Sequence, residues 1–314
     1  MEMDFKALLR KPELKPALII GNGVNLFNAT KGVSGWEALL LALWRERMGH
    51  VKNKVPKGIS LTEFYDVLDL QSVRAGKSLQ AEFCEGMADW QPKKHHRNIV
   101  KWAKDNKCPI LTTNFENTLS DALDLKLQRL KAYSFTDFYP WGSYYASKPI
   151  SDTANEFAIW HINGMQHYQR SIRLGLSHYM GSVERARLML HKSGNRLFSH
   201  ADFSKWPGRH TWLNPIFQND LFIFGLSLEV TEVFLRWLLI ERAKFFKKFP
   251  NQRREAFFIH NKPLAPGQQL FLESVGIKPI LVNSWLITSC RSANNIMPIT
   301  NYLPALTTSF FYSA

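Results

Sequence analysis

Short uninterrupted apolar runs alternate along the chain with stretches whose apolar residues recur every three or four positions. The runs at 17–20, 109–111, 157–160, 221–224, 256–259 and 279–282 read as buried strands, since each is short and gives way to turn-forming or polar residues. Between them, Trp36, Leu39, Leu40, Leu43 and Trp44 follow the i, i+3, i+4, i+7, i+8 spacing of one helix face, and Ser34 with Glu37 spells a capping box that would start this helix near Ser34. A second box, Ser60 with Glu63, opens a helix through Phe64, Val67 and Leu68. Helical patterns follow at 92–107, 115–125, 177–190, 229–246 and 265–275, whereas 126–155 are aromatic and turn-rich and 284–314 are irregular. Strands alternating with helices predict an α/β fold, a parallel sheet flanked by helices, with its ligand outside the carboxyl ends of the strands. No repeat or linker divides the chain, so residues 1–314 read as a single domain with a helical insertion at about 36–107.

Composition narrows the functional classes. With 314 residues, 45% hydrophobic and 21% charged, the chain has ample core and is neither collagenous nor disordered. No uncharged apolar run approaches the ~18 to 20 residues of a membrane span, and the first residues lack a secretory signal, so a cytoplasmic protein without membrane contact is expected. Cys84, Cys108 and Cys290 are too few and too scattered for a disulfide scaffold or a four-cysteine zinc ribbon. The formal charge of +14 suits nucleic acid, acidic proteins or phosphorylated small molecules. The segment 242–254, with six basic residues, no acid and Phe245, Phe246 and Phe249 interleaved, reads either as a helix end that buries its phenylalanines or as a nucleic-acid groove. His95 and His96, amid Lys93, Lys94 and Arg97, read as a solvated basic face.

Four loops after strands carry candidate chemistry. GNGVN, residues 21–25, offers Gly21 and Gly23 for a tight bend and close approach to a pyrophosphate, although Leu26 occupies the third glycine position of the dinucleotide fingerprint. Asn22 and Asn25 serve there either as ligand contacts or as turn residues. In TTNFE, residues 112–116, Thr113 and Asn114 precede a helix with Glu116 in its first turn, and Asn114 either caps it or reaches a ribose hydroxyl or a water. WHING, residues 160–164, ends a strand with His161, whose imidazole suits proton transfer near neutral pH. FGLSLEV, residues 224–230, places Gly225 and Ser227 before a helix, with Glu229 and Glu232 in its first turn. Ser227 is there a cap or a phosphate or ribose contact.

As an ordered set these loops resemble the sirtuin superfamily: GNGVN its GAG-type nucleotide loop, TTNFE its TQNID block, WHING its catalytic HG block, FGLSLEV its GTSLxV block, and KPILVN, ending at Asn283, its late strand. The resemblance spans about residues 17–283 and implies a Rossmann-like NAD-binding fold with a helical insertion. The paired zinc cysteines of sirtuin deacetylases are missing, so no metal is expected, and the GIPDFR-type segment is replaced by LFNATKGVSGWEALL. Glu116 stands where the family has Asp. These departures look more like the zinc-less sirtuin-like domains of bacterial antiphage defence, which hydrolyse NAD and stall the infected cell.

The resemblance therefore implies an NAD glycohydrolase that yields nicotinamide and ADP-ribose. Asn114 and His161 would be catalytic, while Gly21, Asn22, Gly23, Asn25, Thr113, Glu116, Gly225, Ser227 and Asn283 would contact NAD. An enzyme of this kind has to be restrained, which implies a homo-oligomer or a separately encoded sensor protein as partner. The alternatives are an NAD-dependent deacylase or ADP-ribosyltransferase, which would need an acceptor, and a non-catalytic nucleotide- or nucleic-acid-binding module.

Overall fold

The computed structural model describes residues 13–27, 33–72, 76–130, 140–192, 194–230 and 232–282. Among these residues eight strands form one sheet: β1 (Pro16–Ile20), β2 (Ile110–Thr112), β3 (Lys126–Arg129), β4 (Ser143–Ala146), β5 (Ile159–His161), β6 (Asp220–Phe224), β7 (Ala256–His260) and β8 (Lys278–Leu281). Their order is β3-β4-β5-β2-β1-β6-β7-β8. The six strands from β5 to β8 are parallel, and the β3–β4 hairpin extends the β5 edge antiparallel. Counted along the parallel strands alone, this is the 3-2-1-4-5-6 order of the doubly wound dinucleotide-binding fold, a Rossmann-like α/β architecture. Its direction of winding reverses between β1 and β6, the switch point at whose carboxyl side sheets of this kind bind their ligands.

The continuous apolar spelling of the central strands follows from their double coverage. In β1, Ala17 and Ile19 enter one core cluster and Leu18 and Ile20 the other, and β6 divides in the same way between Leu221 with Ile223 and Phe222 with Phe224. Among the described residues the α-helices are α1 (Gly23–Leu26), α2 (Trp36–Met48), α3 (Leu61–Gln71), α4 (Leu79–Glu85), α5 (Lys94–Asp105), α6 (Thr118–Asp121), α7 (Leu176–Arg187), α8 (Leu197–His200), α9 (Leu213–Gln218), α10 (Val233–Lys248) and α11 (Pro266–Ser274). α7, α10 and α11 supply residues such as Tyr179, Leu238 and Leu272 to one face, and α5 supplies Ile99, Val100 and Ala103 to the other. Helices α2, α3 and α4 stand apart around a third cluster that includes Leu40, Trp44, Phe64, Leu68 and Phe83, and Phe115, Ile172 and Leu174 join it from loops beyond β2 and β5. This cap is tied down by Gln80 Nε2 on the Ile172 carbonyl (3.0 Å), Gln166 Nε2 on the Cys84 carbonyl (2.9 Å) and the Leu176 N–H on Asp66 Oδ2 (2.9 Å). None of the helices described is long and apolar enough to cross a membrane.

Several local expectations change. The Ser60–Glu63 capping box forms, but Ser34 caps nothing: α2 begins at Trp36 behind Gly35, and Glu37 instead accepts the Val55 N–H. The predicted helix at 115–125 contracts to the single turn α6, and the helix expected from residue 229 begins at Val233. The aromatic stretch after 126 contains the β3–β4 hairpin. His95 and His96 are buried rather than solvated: His95 Nε2 reaches the Val24 carbonyl (2.9 Å), and His96 Nδ1 accepts the Lys93 N–H that opens α5 (2.9 Å). The irregular tail at 284–314 lies outside the described residues.

The basic segment is largely structural. Phe245 and Phe246 are buried, Phe249 packs against the same core, and Arg242 is itself buried, donating to the carbonyls of Ile216, Asn219, Arg254 and Glu255 at 2.8–3.2 Å. Beside it Asp220 accepts the Lys15 and Glu255 N–H groups at 2.8 and 2.7 Å. These two residues stitch the amino end of the sheet and leave its carboxyl end for chemistry. Arg242→Met should therefore lower unfolding free energy in a urea titration by about 2–4 kcal/mol, because buried carbonyls lose their donor. Lys247→Ala, on the exposed side of the same segment, should change it by less than about 0.5 kcal/mol.

Candidate functional site

The carboxyl ends of β2, β5, β1, β6 and β7 open into one cavity of about 600 Å3. Its floor is made by the loops after these strands, including Asn22, Gly23, Thr113, Asn114, Glu116, Asn163, Gly225 and Ser227. Its roof is the apolar underside of the cap, with Trp36, Leu39, Leu61, Phe83, Met87 and Trp90. A polar floor under an aromatic roof is a site that can hold a ligand by a few directed hydrogen bonds and exclude bulk water.

The crevice between β1 and β6 is closed tightly by glycines. The Gly23 N–H donates to the Gly225 carbonyl at 2.6 Å, and the Gly21 N–H donates to Phe224 at 3.1 Å. A methyl group on Gly21 would lie 2.4 Å from Leu226 Cβ, and one on Gly23 would lie 2.9 Å from Gly225 Cα. Gly225 itself has φ of +69°, which favours glycine. The physical reason for these glycines thus differs from the one expected: they let two backbone loops touch, and the Gly23 N–H is already used within the protein. Gly21 lies behind the residues that line the cavity, as does Asn25.

Asn25 is instead the centre of a buried network. Its Nδ2 donates to Glu116 Oε1 (2.9 Å) and Asn22 Oδ1 (2.8 Å), and its Oδ1 accepts the Thr118 hydroxyl (2.9 Å). Burial pushes the Glu116 carboxyl up to about 7, against the opposing pull of hydrogen bonds from Asn25, Thr118 and Asn114. Neither Asn114 nor Glu116 belongs to a helix start, because α6 begins only at Thr118, so the capping reading of both is excluded.

Asn114 is held by its backbone. Its N–H donates to Thr112 Oγ1 (3.1 Å), and its carbonyl accepts a hydrogen bond from His161 Nδ1 (2.8 Å). That contact puts the imidazole proton on Nδ1 and leaves Nε2 as a bare acceptor. Both His161 Nε2 and Asn114 Oδ1 are buried without a hydrogen-bond partner among the described residues. Burial pulls His161 down to about 4, so the ring is neutral at physiological pH. Asn114 faces the cavity and His161 stands directly behind it.

At the other end, Ser227 is exposed, lines the cavity and caps no helix, and Glu229 and Glu232 line it beside Ser227. Asn283 lies outside the described residues. The polar residues that end β7, His260, Asn261 and Lys262, face the cavity although sequence reasoning passed over them. The signal was present: their strand is an apolar run that breaks into polar residues and a proline, the same spelling that marked the other loops. Among the described residues no three His, Cys, Asp or Glu side chains gather as metal ligands would.

Because Glu116 holds a proton in the folded chain that the unfolded chain releases near pH 4.5, its contribution to stability is full below that pH and is lost as pH rises towards about 7. Glu116→Gln should flatten this fall, removing roughly 2–3 kcal/mol of pH dependence between pH 4.5 and 7.5 in denaturant titrations of the two proteins. Comparison of the chain with protein-family models and with curated proteins gives no match.

Proposed function

We propose that this cavity is the active site of an NAD glycohydrolase that releases nicotinamide and ADP-ribose. The observation that carries the proposal is that Asn114 Oδ1, from a residue of the cavity floor, and His161 Nε2, from the residue behind it, are buried acceptors with no donor among the described residues. Each orphaned group costs about 1–3 kcal/mol, a cost that a ligand with hydroxyl donors would recover. The two ribose hydroxyls next to a glycosidic bond, and a water poised at C1′, are donors of this kind.

The chemistry suits these residues. When the bond from C1′ to the nicotinamide nitrogen breaks, its electron pair neutralises the pyridinium, so the leaving group needs no acid. The burden falls on the oxocarbenium ion at C1′, which requires a dry site, oriented acceptors and a water on the opposite face. Asn114 would hold the ribose and this water. His161, neutral through burial, would take the proton that the water loses as its oxygen bonds to C1′, either directly or through a ribose hydroxyl. The hydrophobic roof excludes competing water. The resemblance of the four loops to zinc-less defence sirtuins supports a gated role in depleting cytosolic NAD during phage infection, with an oligomer or a sensor protein as the restraint.

Chromatography of NAD incubated with the purified protein, with and without lysate of phage-infected cells, tests the reading. Nicotinamide and ADP-ribose should accumulate, and Asn114→Ala and His161→Ala should each slow their release by roughly 100-fold or more while leaving circular dichroism unchanged. Turnover that depends strictly on an acyl-lysine peptide or another acceptor would overturn hydrolysis in favour of deacylation or ADP-ribosyl transfer.

A further inference from the structure

Ten of the fourteen net positive charges belong to two segments, residues 185–210 and 241–254, which together carry twelve basic and two acidic residues. The fold joins these segments although they are distant in sequence. His191, in the π-helical turn Leu188–Lys192 that continues α7, hydrogen-bonds through Nε2 to Glu241 Oε2 on α10 (2.5 Å). Its ring packs on Phe198 of α8, with centroids 4.2 Å apart, and Phe198 in turn meets Phe245 of α10. Lys248 Nζ closes the knot on the Phe198 carbonyl (2.7 Å). Arg187, Lys192, Arg196, Lys244, Lys247 and Lys248 stand on these joined elements, and all six are exposed.

The two acids do little to neutralise them. Glu241 is buried and already held by His191 and by Lys244 Nζ (2.8 Å), and Asp202 accepts the N–H and hydroxyl of Ser204. Arg187, Lys192, Arg196 and Lys247 form no ion pair with any described residue. α10 returns from the carboxyl end of β6 to the amino end of β7, so its lysine-rich end lies at the end of the sheet away from the cavity.

The neighbours of these cations decide what they suit. A stable protein interface or a membrane surface also needs exposed apolar side chains, and among the described residues of the two segments no large apolar side chain is exposed. A single strand needs aromatic faces on which bases stack, whereas Phe198, Phe203 and Phe249 pack against the core. Phosphates spaced along a duplex need only cations that can reach them. We propose that this surface binds a nucleic-acid duplex through its phosphates, without reading the bases. The inference is independent of the dinucleotide reading of the cavity.

Fluorescence anisotropy of a labelled duplex of about 20 base pairs, as DNA and as RNA, tests this across a salt series, with a single strand of the same sequence beside it. The parent should bind the duplex with a dissociation constant of roughly 1–100 μM at physiological salt, and log affinity should fall against log salt with a slope of about −4 to −5. R187Q/K192Q/R196Q/K247Q, which changes only exposed residues, should keep its melting temperature, bind at least about tenfold more weakly and show a slope of about −1 to −2. K54Q/K57Q/K94Q/K104Q removes the same charge from exposed positions elsewhere and should bind within about threefold of the parent. The DNA and RNA arms identify which duplex is taken. Absent or salt-independent binding, equal weakening by both variants, or tighter binding of the single strand overturns the assignment. Displacement of the duplex by polyglutamate at equal charge concentration overturns it in favour of an acidic protein.

Discussion

The contact on which the site depends is the one between two backbones: the turn after β1 and the turn after β6 meet through Gly21, Gly23 and Gly225, with the Gly23 N–H on the Gly225 carbonyl. β1 and β6 pair along five residues each, so their carboxyl ends are held in register, and the glycines bring the loops beyond them into contact. A larger residue at Gly21 or Gly23 would push these loops apart, and every residue of the cavity floor hangs from them or from the neighbouring strand ends. Thr113 and Ile162 extend the same order outward, donating to the carbonyls of Ile20 and Thr112 across β1, β2 and β5. A rigid floor of this kind is what keeps polar groups pointed at a small target once they have been removed from water.

The buried acceptors show where the fold accepts a cost. Most buried polar atoms in a native protein find a partner. Here Asn25, Glu116 and Thr118 satisfy one another, while Asn114 Oδ1 and His161 Nε2 find no partner among the described residues. The satisfied network holds the β1 and β2 loops together, and the unsatisfied pair sits at its edge. Rigidity and reactivity are thus divided between neighbouring residues.

The sheet was legible in the sequence wherever both faces are covered, because a doubly buried strand has to be apolar throughout and then turn polar. β1, β2, β5, β6 and β7 carry that spelling, while β8, at the sheet edge with Lys278 and Leu281 exposed, was legible only from its short apolar run. β3, written KLQR at the sheet edge, does not, and its hairpin partner hides among aromatics. The candidate site was legible as four loops, but not the reasons for its residues. Ser34 and Ser227 have the spelling of caps, yet the chain starts its helices one or several residues later. His95 and His96 look like part of a basic surface because their neighbours are basic, whereas the helix turns both rings inward. Glycines that serve loop packing and glycines that admit a phosphate are spelled alike.

The connectivity of the sheet has a consequence for biosynthesis. β1 has its two neighbours at residues 110–112 and 220–224, so the second of them leaves the ribosome some two hundred residues after β1 itself. Chains emerge at about 5–20 residues per second, which leaves β1 without its second neighbour for roughly ten seconds or more. The crevice cannot close on any nascent fragment that stops short of Gly225, whatever helices have formed by then. A truncated product of interrupted translation therefore carries Asn114 and His161 but no enclosed site. The enclosed cavity exists only in chains that have been translated past the middle of the sheet.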